Sequence, residues 1–288
     1  MTMMLTTAGR AMAASVCLFW CCAGHALGQD LLANQGPLSS MPGAHETGAD
    51  LVWGVPRGAS VGVSGYATLD HRLAERIEVG AATIEAVVVY GYQQGAVDGP
   101  SIDFLGVELW DGQPGQPGSS RVAGDITQNA LDGAEFSGTY AALHGVSFAT
   151  DRPVYALTAS DLGWSVDAGE YWLVWSLGGT LDGGPYSPYL GDSDEPMAGE
   201  ALQLVLGSWR PARNRTEDGV QVALPYEVYG STACAADCDG DGVLTVFDFL
   251  CFQNAFSAGE TTADCDGDGV LTASDYACFQ ALFMGGCS

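Results

Sequence analysis

Lysine is absent from this 288-residue chain. Its nine basic residues are all Arg, and they face thirty-five Asp and Glu, for a formal net charge of -26. So acidic a surface repels phosphate backbones and anionic headgroups, which excludes nucleic acid and charged membrane as partners. Between Gln29 and Gly230 there is no cysteine, so that stretch holds no thiol nucleophile and no disulfide. Histidine is scarce there too: only His45, His71 and His144 occur, in no HxH or HExxH spacing, which removes the usual zinc sites. The Walker loop and the dinucleotide fingerprint are missing. Acid pairs for glycoside hydrolysis remain open on Asp103, Glu108 and Glu170, although solvated or turn-capping roles suit single acids better. These absences weigh toward a non-catalytic module.

What is present is turn-forming and β-forming sequence. Forty Gly and twelve Pro favour many short strands over long helices. Alternating or β-rich runs predict strands at Thr83–Tyr92, Ile102–Trp110, Val154–Ala159, Glu170–Leu177, Ala201–Leu206 and Val220–Tyr229. Within them, Tyr171 to Leu177 is apolar on both faces, as at the centre of a sheet covered on both sides. Gln29 to Gly65 reads as irregular, and His71 to Glu78 as a single helical turn. The fold class expected is mainly β: a jelly-roll-like sandwich over residues 29–230, followed by a small α region over 231–288. Six tryptophans, Trp53, Trp110, Trp164, Trp172, Trp175 and Trp209, lie in the β region. Exposed, they would stack on sugar rings; the plainer reading places them in the core.

Residues 1–28 read as a secretory signal peptide. One basic residue, Arg10, precedes the apolar run Ala11 to Cys22, and small residues follow in Ala26-Leu27-Gly28. The run is shorter than the roughly 20 residues a bilayer span needs, and no later segment is apolar enough to cross. The expectation is a secreted or cell-surface protein. Cys17, Cys21 and Cys22 leave with the signal, and the other six cysteines, Cys234, Cys238, Cys251, Cys265, Cys278 and Cys287, crowd the C-terminus. An even set in a secreted chain reads as a disulfide framework, and six cysteines allow fifteen pairings. Cys234 and Cys287, the outermost, are expected to join the domain's ends. The other four repeat as a loop Cys and a helix Cys, Cys238 with Cys251 and Cys265 with Cys278, which favours a symmetric pairing.

Two segments nearly superimpose: Asp237-Cys238-Asp239-Gly240-Asp241-Gly242-Val243-Leu244-Thr245-Val246-Phe247-Asp248, and Asp264-Cys265-Asp266-Gly267-Asp268-Gly269-Val270-Leu271-Thr272-Ala273-Ser274-Asp275. Alternate Asp residues in a tight loop aim three carboxylates at one point, and calcium wants six to eight oxygens. The ligands expected are the side chains of Asp237, Asp239, Asp241 and Asp248 with the Val243 carbonyl and Thr245. In the second copy they are Asp264, Asp266, Asp268 and Asp275 with the Val270 carbonyl and Thr272. Each loop is followed by an aromatic stripe, Phe249, Phe252 and Phe256, then Tyr276, Phe279 and Phe283, spaced for one helix face. Two calcium ions, one per loop, are the cofactors this pattern predicts.

A calcium loop with a helix after it but none before it, present twice, resembles the type I dockerin family. Gly286-Cys287 resembles the ending of its cysteine-containing variety, which is carried on secreted bacterial proteins. The resemblance covers Asp237 to about Met284. It implies two bound calcium ions and docking onto a cohesin-type or other cell-surface partner. It also implies that the two residues before each closing Asp, Val246 and Phe247, and Ala273 and Ser274, read that partner. Because the two pairs differ, one docking face is expected to dominate. The function expected is a non-catalytic calcium-binding module that attaches through this domain. The alternative is a glycan-binding or glycan-hydrolysing protein delivered by it.

Overall fold

A computed structural model describes residues 29–54, 62–143, 150–191, 197–213, 219–232, 234, 236–240 and 243–286. The expected signal peptide, His144, the glycosylation sequon Asn214-Arg215-Thr216, Asp241, Gly242 and Cys287 lie outside these residues, as does the side chain of Trp53. No helix among the described residues is long and apolar enough to cross a membrane.

The chain is mainly β. Strands β1 (Asp30–Gln35), β2 (Asp50–Gly54) and β3 (Gly62–Ser64) arise in the stretch that reads as irregular. Then come β4 (Arg72–Val79), β5 (Ala82–Gly91), β6 (Ile102–Trp110), β7 (Arg121–Asp125), β8 (Gly133–Leu143) and β9 (Pro153–Ala159). The last are β10 (Trp164–Val166), β11 (Gly169–Gly179), β12 (Tyr186–Pro188), β13 (Leu202–Val205), β14 (Ser208–Pro211) and β15 (Tyr226–Thr232). One sheet runs β1-β15-β5-β9-β8-β2, with β10 beside β5; a second runs β14-β13-β4-β11-β6-β7; β3 and β12 form a small third.

The two large sheets share one core. Val87, Val89, Leu157 and Val228 of the first meet Leu73, Ile77, Leu105, Leu109, Leu173 and Trp175 of the second. The doubly apolar run in β11 is explained by its place between β4 and β6. Leu173, Trp175 and Leu177 face the shared core, while Trp172 and Val174 belong to a separate buried cluster on the other face with Ala74, Ile126 and Leu202.

Three expectations are corrected. The helical turn at His71 to Glu78 is instead β4. Its Leu, Ala, Arg and Glu residues favour a helix, but ladders to β11 and β13 on its two sides override that propensity. Residues 29–65 hold three strands, of which β1 pairs with β15 from Asp30 opposite Gly230 to Gln35 opposite Tyr226. The strand expected at Val220–Tyr229 starts only at Tyr226, after Pro225, and runs to Thr232. By contrast, β6 has the expected bounds.

Buried Glu75 of β4 stitches the sheets together. Its Oε1 accepts the Leu224 N–H at 2.6 Å, just ahead of β15, and a Gln35 Nε2 hydrogen at 3.2 Å, at the end of β1. Burial pushes its carboxyl up to about 8, against the pull of the Leu224 hydrogen bond.

After β15 the chain turns helical, in α1 (Val246–Ala258) and α2 (Ala273–Gly285). A short 3-10 turn, Thr261–Ala263, precedes the second acidic loop. Both aromatic stripes face inward. Phe252 stacks on Phe279 with centroids 4.2 Å apart, and Tyr276 meets Phe249, Phe252 and Phe256. The resulting cluster draws only on residues from Cys234 onward, so this segment has a core of its own.

Candidate metal centre

Each acidic loop is fixed to the helix that follows it. Thr245 and Thr272 sit at the helix N-caps, where their hydroxyls accept the N–H of Phe247 and of Ser274, each at 3.1 Å. Asp248 and Asp275 complete the capping boxes by accepting the N–H of Thr245 at 2.7 Å and of Thr272 at 2.6 Å. Each of these carboxylates also reaches back into its loop. Asp248 accepts the Asp239 N–H at 3.3 Å, and Asp275 accepts those of Cys265 at 3.0 Å and Asp266 at 3.4 Å. Both are fully buried. The hydrogen bond from Thr245 chiefly holds Asp248 below the usual carboxylate range, and that from Thr272 does so for Asp275.

A second tie is covalent. Cys238 is bonded to Cys251 with 5.7 Å between Cα atoms, and Cys265 to Cys278 with 5.9 Å, so each loop is stapled to its own helix. This is the symmetric loop-to-helix pairing. Cys234 is also disulfide-bonded, to none of those four. Its expected partner, Cys287, lies outside the described residues.

The loops gather carboxylates. Oxygens of Asp237, Asp239 and Asp248 lie within 4.8 Å of one another, and so do those of Asp264, Asp266 and Asp268. Three negative charges at that distance repel unless a cation or protons intervene, so either cluster can hold a metal ion. Asp241 is not described; Asp275 lies outside the second cluster, its oxygens turned to backbone N–H groups. The side chains of Val243 and Val270 point to solvent, consistent with any part they play coming through the backbone.

No family model, no curated protein and no solved structure matches this chain.

The residues expected to read a partner are accessible. Val246 and Phe247 are each 64% exposed, and Ala273 and Ser274 are exposed as well. Phe247 therefore stays out of the small core that claims Phe249, Phe252 and Phe256. Leu250, half-exposed at 47%, extends the patch and was not foreseen. Its signal was available, because Leu250 is four residues after Val246 and three after Phe247, on one helix face.

Glu108, Glu170 and the described tryptophans have structural partners. Glu108 is buried and accepts from Trp110 Nε1 at 3.0 Å, Ile126 N at 3.1 Å and Arg121 Nη1 at 3.2 Å. Glu170 is paired with Arg76, and Asp103 is exposed. None of the described Trp side chains is exposed: Trp172 and Trp175 are buried, and Trp110, Trp164 and Trp209 pack half-buried on the cores.

Proposed function

We propose that residues 231–288 form a calcium-dependent attachment domain of the dockerin kind, and that residues 29–230, a β-sandwich, are what it delivers outside the cell. The observation that carries this reading is the coupling of each acidic loop to its helix by a capping box and a disulfide. Ordering the first loop around a cation fixes the start of α1, and with it the direction of Val246, Phe247 and Leu250. An exposed apolar patch beside a rigid metal site suits a docking hot spot. The partner is a cohesin-type domain or another cell-surface protein.

Calcium suits the loops better than magnesium, which keeps most of its water and takes only one or two carboxylates. In each loop three or four Asp side chains would hold the ion, with a Val carbonyl among the remaining ligands. The ion supplies charge neutralisation and loop order; the chain supplies the docking surface. Calorimetry on the whole secreted chain should report about two calcium ions per molecule, at micromolar affinity or tighter. Magnesium binding equally well would sink the reading. Affinity capture from the source organism's envelope should recover partners with calcium and lose them with chelator, and Phe247→Ala should abolish recovery. Equal recovery with and without calcium would refute calcium-ordered docking.

A further inference from the structure

The outward face of the β4-β11-β6 sheet carries a cleft that the C-terminal domain does not use. Since Trp175 and Leu177 face the core, Ser176 of β11 faces away from it. In the ladder to β6, Ser176 lies opposite Gly106 and Gly178 opposite Phe104. A Cβ on Gly106 would stand 2.2 Å from the Ile126 carbonyl oxygen, so this glycine lets the turn after β7 lie down on the sheet and form a wall. The cleft, of about 220 Å3, has Ser176 and Phe104 on the sheet, Thr127 on that wall, and Asp70, His71 and Arg72 on the other side. Asp70 adopts a left-handed backbone with φ of 51°, a conformation uncommon outside glycine.

The hydrogen-bonding groups left over define the ligand. Arg72 spends Nε and Nη2 on Asp70 Oδ1, at 3.1 and 3.0 Å, so the cation is already compensated. His71 shares its Nδ1 with Ser64 Oγ at 3.0 Å, which leaves Nε2 over. Burial, and then the charge of Arg210, hold that imidazole below its usual range, so it is neutral at neutral pH. Thr127 gives its hydroxyl hydrogen to Asp125 Oδ1 at 2.7 Å and keeps an oxygen able to accept. Among the described residues, the Ser176 hydroxyl and Asp70 Oδ2 have no hydrogen-bond partner.

We propose that this cleft binds one residue of a neutral carbohydrate. Mixed donors and acceptors with little net charge match hydroxyls, each of which donates and accepts at once. Phe104 and Ile126 offer apolar surface to the C–H face of a sugar ring. The volume lies under the roughly 300 Å3 at which drug-sized pockets begin, which suits a single ring. An anion is disfavoured by the Arg72–Asp70 pairing and by a chain of net charge -26. The described tryptophans are too well covered to form the site themselves. This assignment concerns the β body and does not rest on the metal loops.

The test is calorimetry on the whole chain in calcium, after a broad array of neutral glycans has chosen the probes, with an oligogalacturonate as charged control. At least one neutral oligosaccharide should bind with millimolar affinity or tighter. Ser176→Ala and Phe104→Ala should each weaken it about tenfold, with near-UV circular dichroism and melting temperature showing both variants folded. Met284→Ala, at an exposed position of the C-terminal domain, should bind as the parent does. Absence of binding to every neutral glycan, preference for the oligogalacturonate, or parent-like binding by folded Ser176→Ala would overturn the proposal.

Discussion

Glu75 makes the stability of the β body depend on pH in an unusual direction. Its carboxyl titrates near 4.5 in the unfolded chain and at about 8 when folded. Below about pH 4.5 both states hold the proton and folding is unaffected. As pH rises, the unfolded chain releases its proton first, so the unfolded state gains stability. That gain accrues at about 1.4 kcal/mol per pH unit and stops once the folded carboxyl also ionises. The loss between about pH 5 and pH 8 is therefore about 4 kcal/mol, a large share of the roughly 5–15 kcal/mol of a whole domain. Glu75→Gln is the clean perturbation. An amide oxygen still accepts the Leu224 N–H, fills the same space and never ionises. The assay is urea unfolding followed by tryptophan fluorescence in constant calcium. All Trp residues precede Gly230, so this signal reports on the β body alone. The variant should match the parent within about 1 kcal/mol at pH 5 and exceed it by about 4 kcal/mol above pH 8. If parent and variant lose stability in parallel across that range, Glu75 is not held protonated by its burial.

Two further outcomes follow from the packing. Replacing Cys238 and Cys251 together by Ser opens a loop with a sequence separation of 13 and should cost the small domain about 3 kcal/mol. Amide exchange in α1 would then speed by about a hundredfold, and unchanged exchange would show the staple to be redundant. Gly106→Ala sets a methyl against backbone that cannot swing aside, and should lower stability by about 1–3 kcal/mol; an unshifted melting temperature would mean that the Ile126 turn is free to lift.

Much of the C-terminal region was legible in the sequence because its determinants are local. A Thr three residues before an Asp sets each cap, and an aromatic stripe sets each buried face. A loop Cys and a helix Cys at the same spacing in both copies favoured a symmetric pairing, and the fold selects the loop-to-helix one. The β body was legible only where a strand carried its own signal. β6 and β11 did, being apolar and well bounded. β4 did not, since its Leu-Ala-Glu-Arg run favours a helix until neighbouring strands claim both edges. β1 to β3 are short, and they exist through long-range partners such as β15 and β8. The cleft was illegible for the same reason. Its walls come from the turn before β4, from β6, from the turn after β7 and from β11, and only the ladder registers bring them to one face. Phe247 lay between these cases. Its exposure depended on which stripe α1 turned inward, and Phe249, Phe252 and Phe256 won that competition.

The place of β15 has a mechanical consequence. It lies between β1 and β5, antiparallel to both, and it ends at Thr232, where the chain leaves for the metal loops. A pull through the C-terminal domain enters the body at that end and runs along the strand. To yield, the strand would have to slide past two neighbours at once, breaking both rows of hydrogen bonds together rather than peeling them one at a time. A body tethered this way resists drag through the shear strength of its own sheet, and the flanking β1 makes the seam twice as wide as a single edge contact.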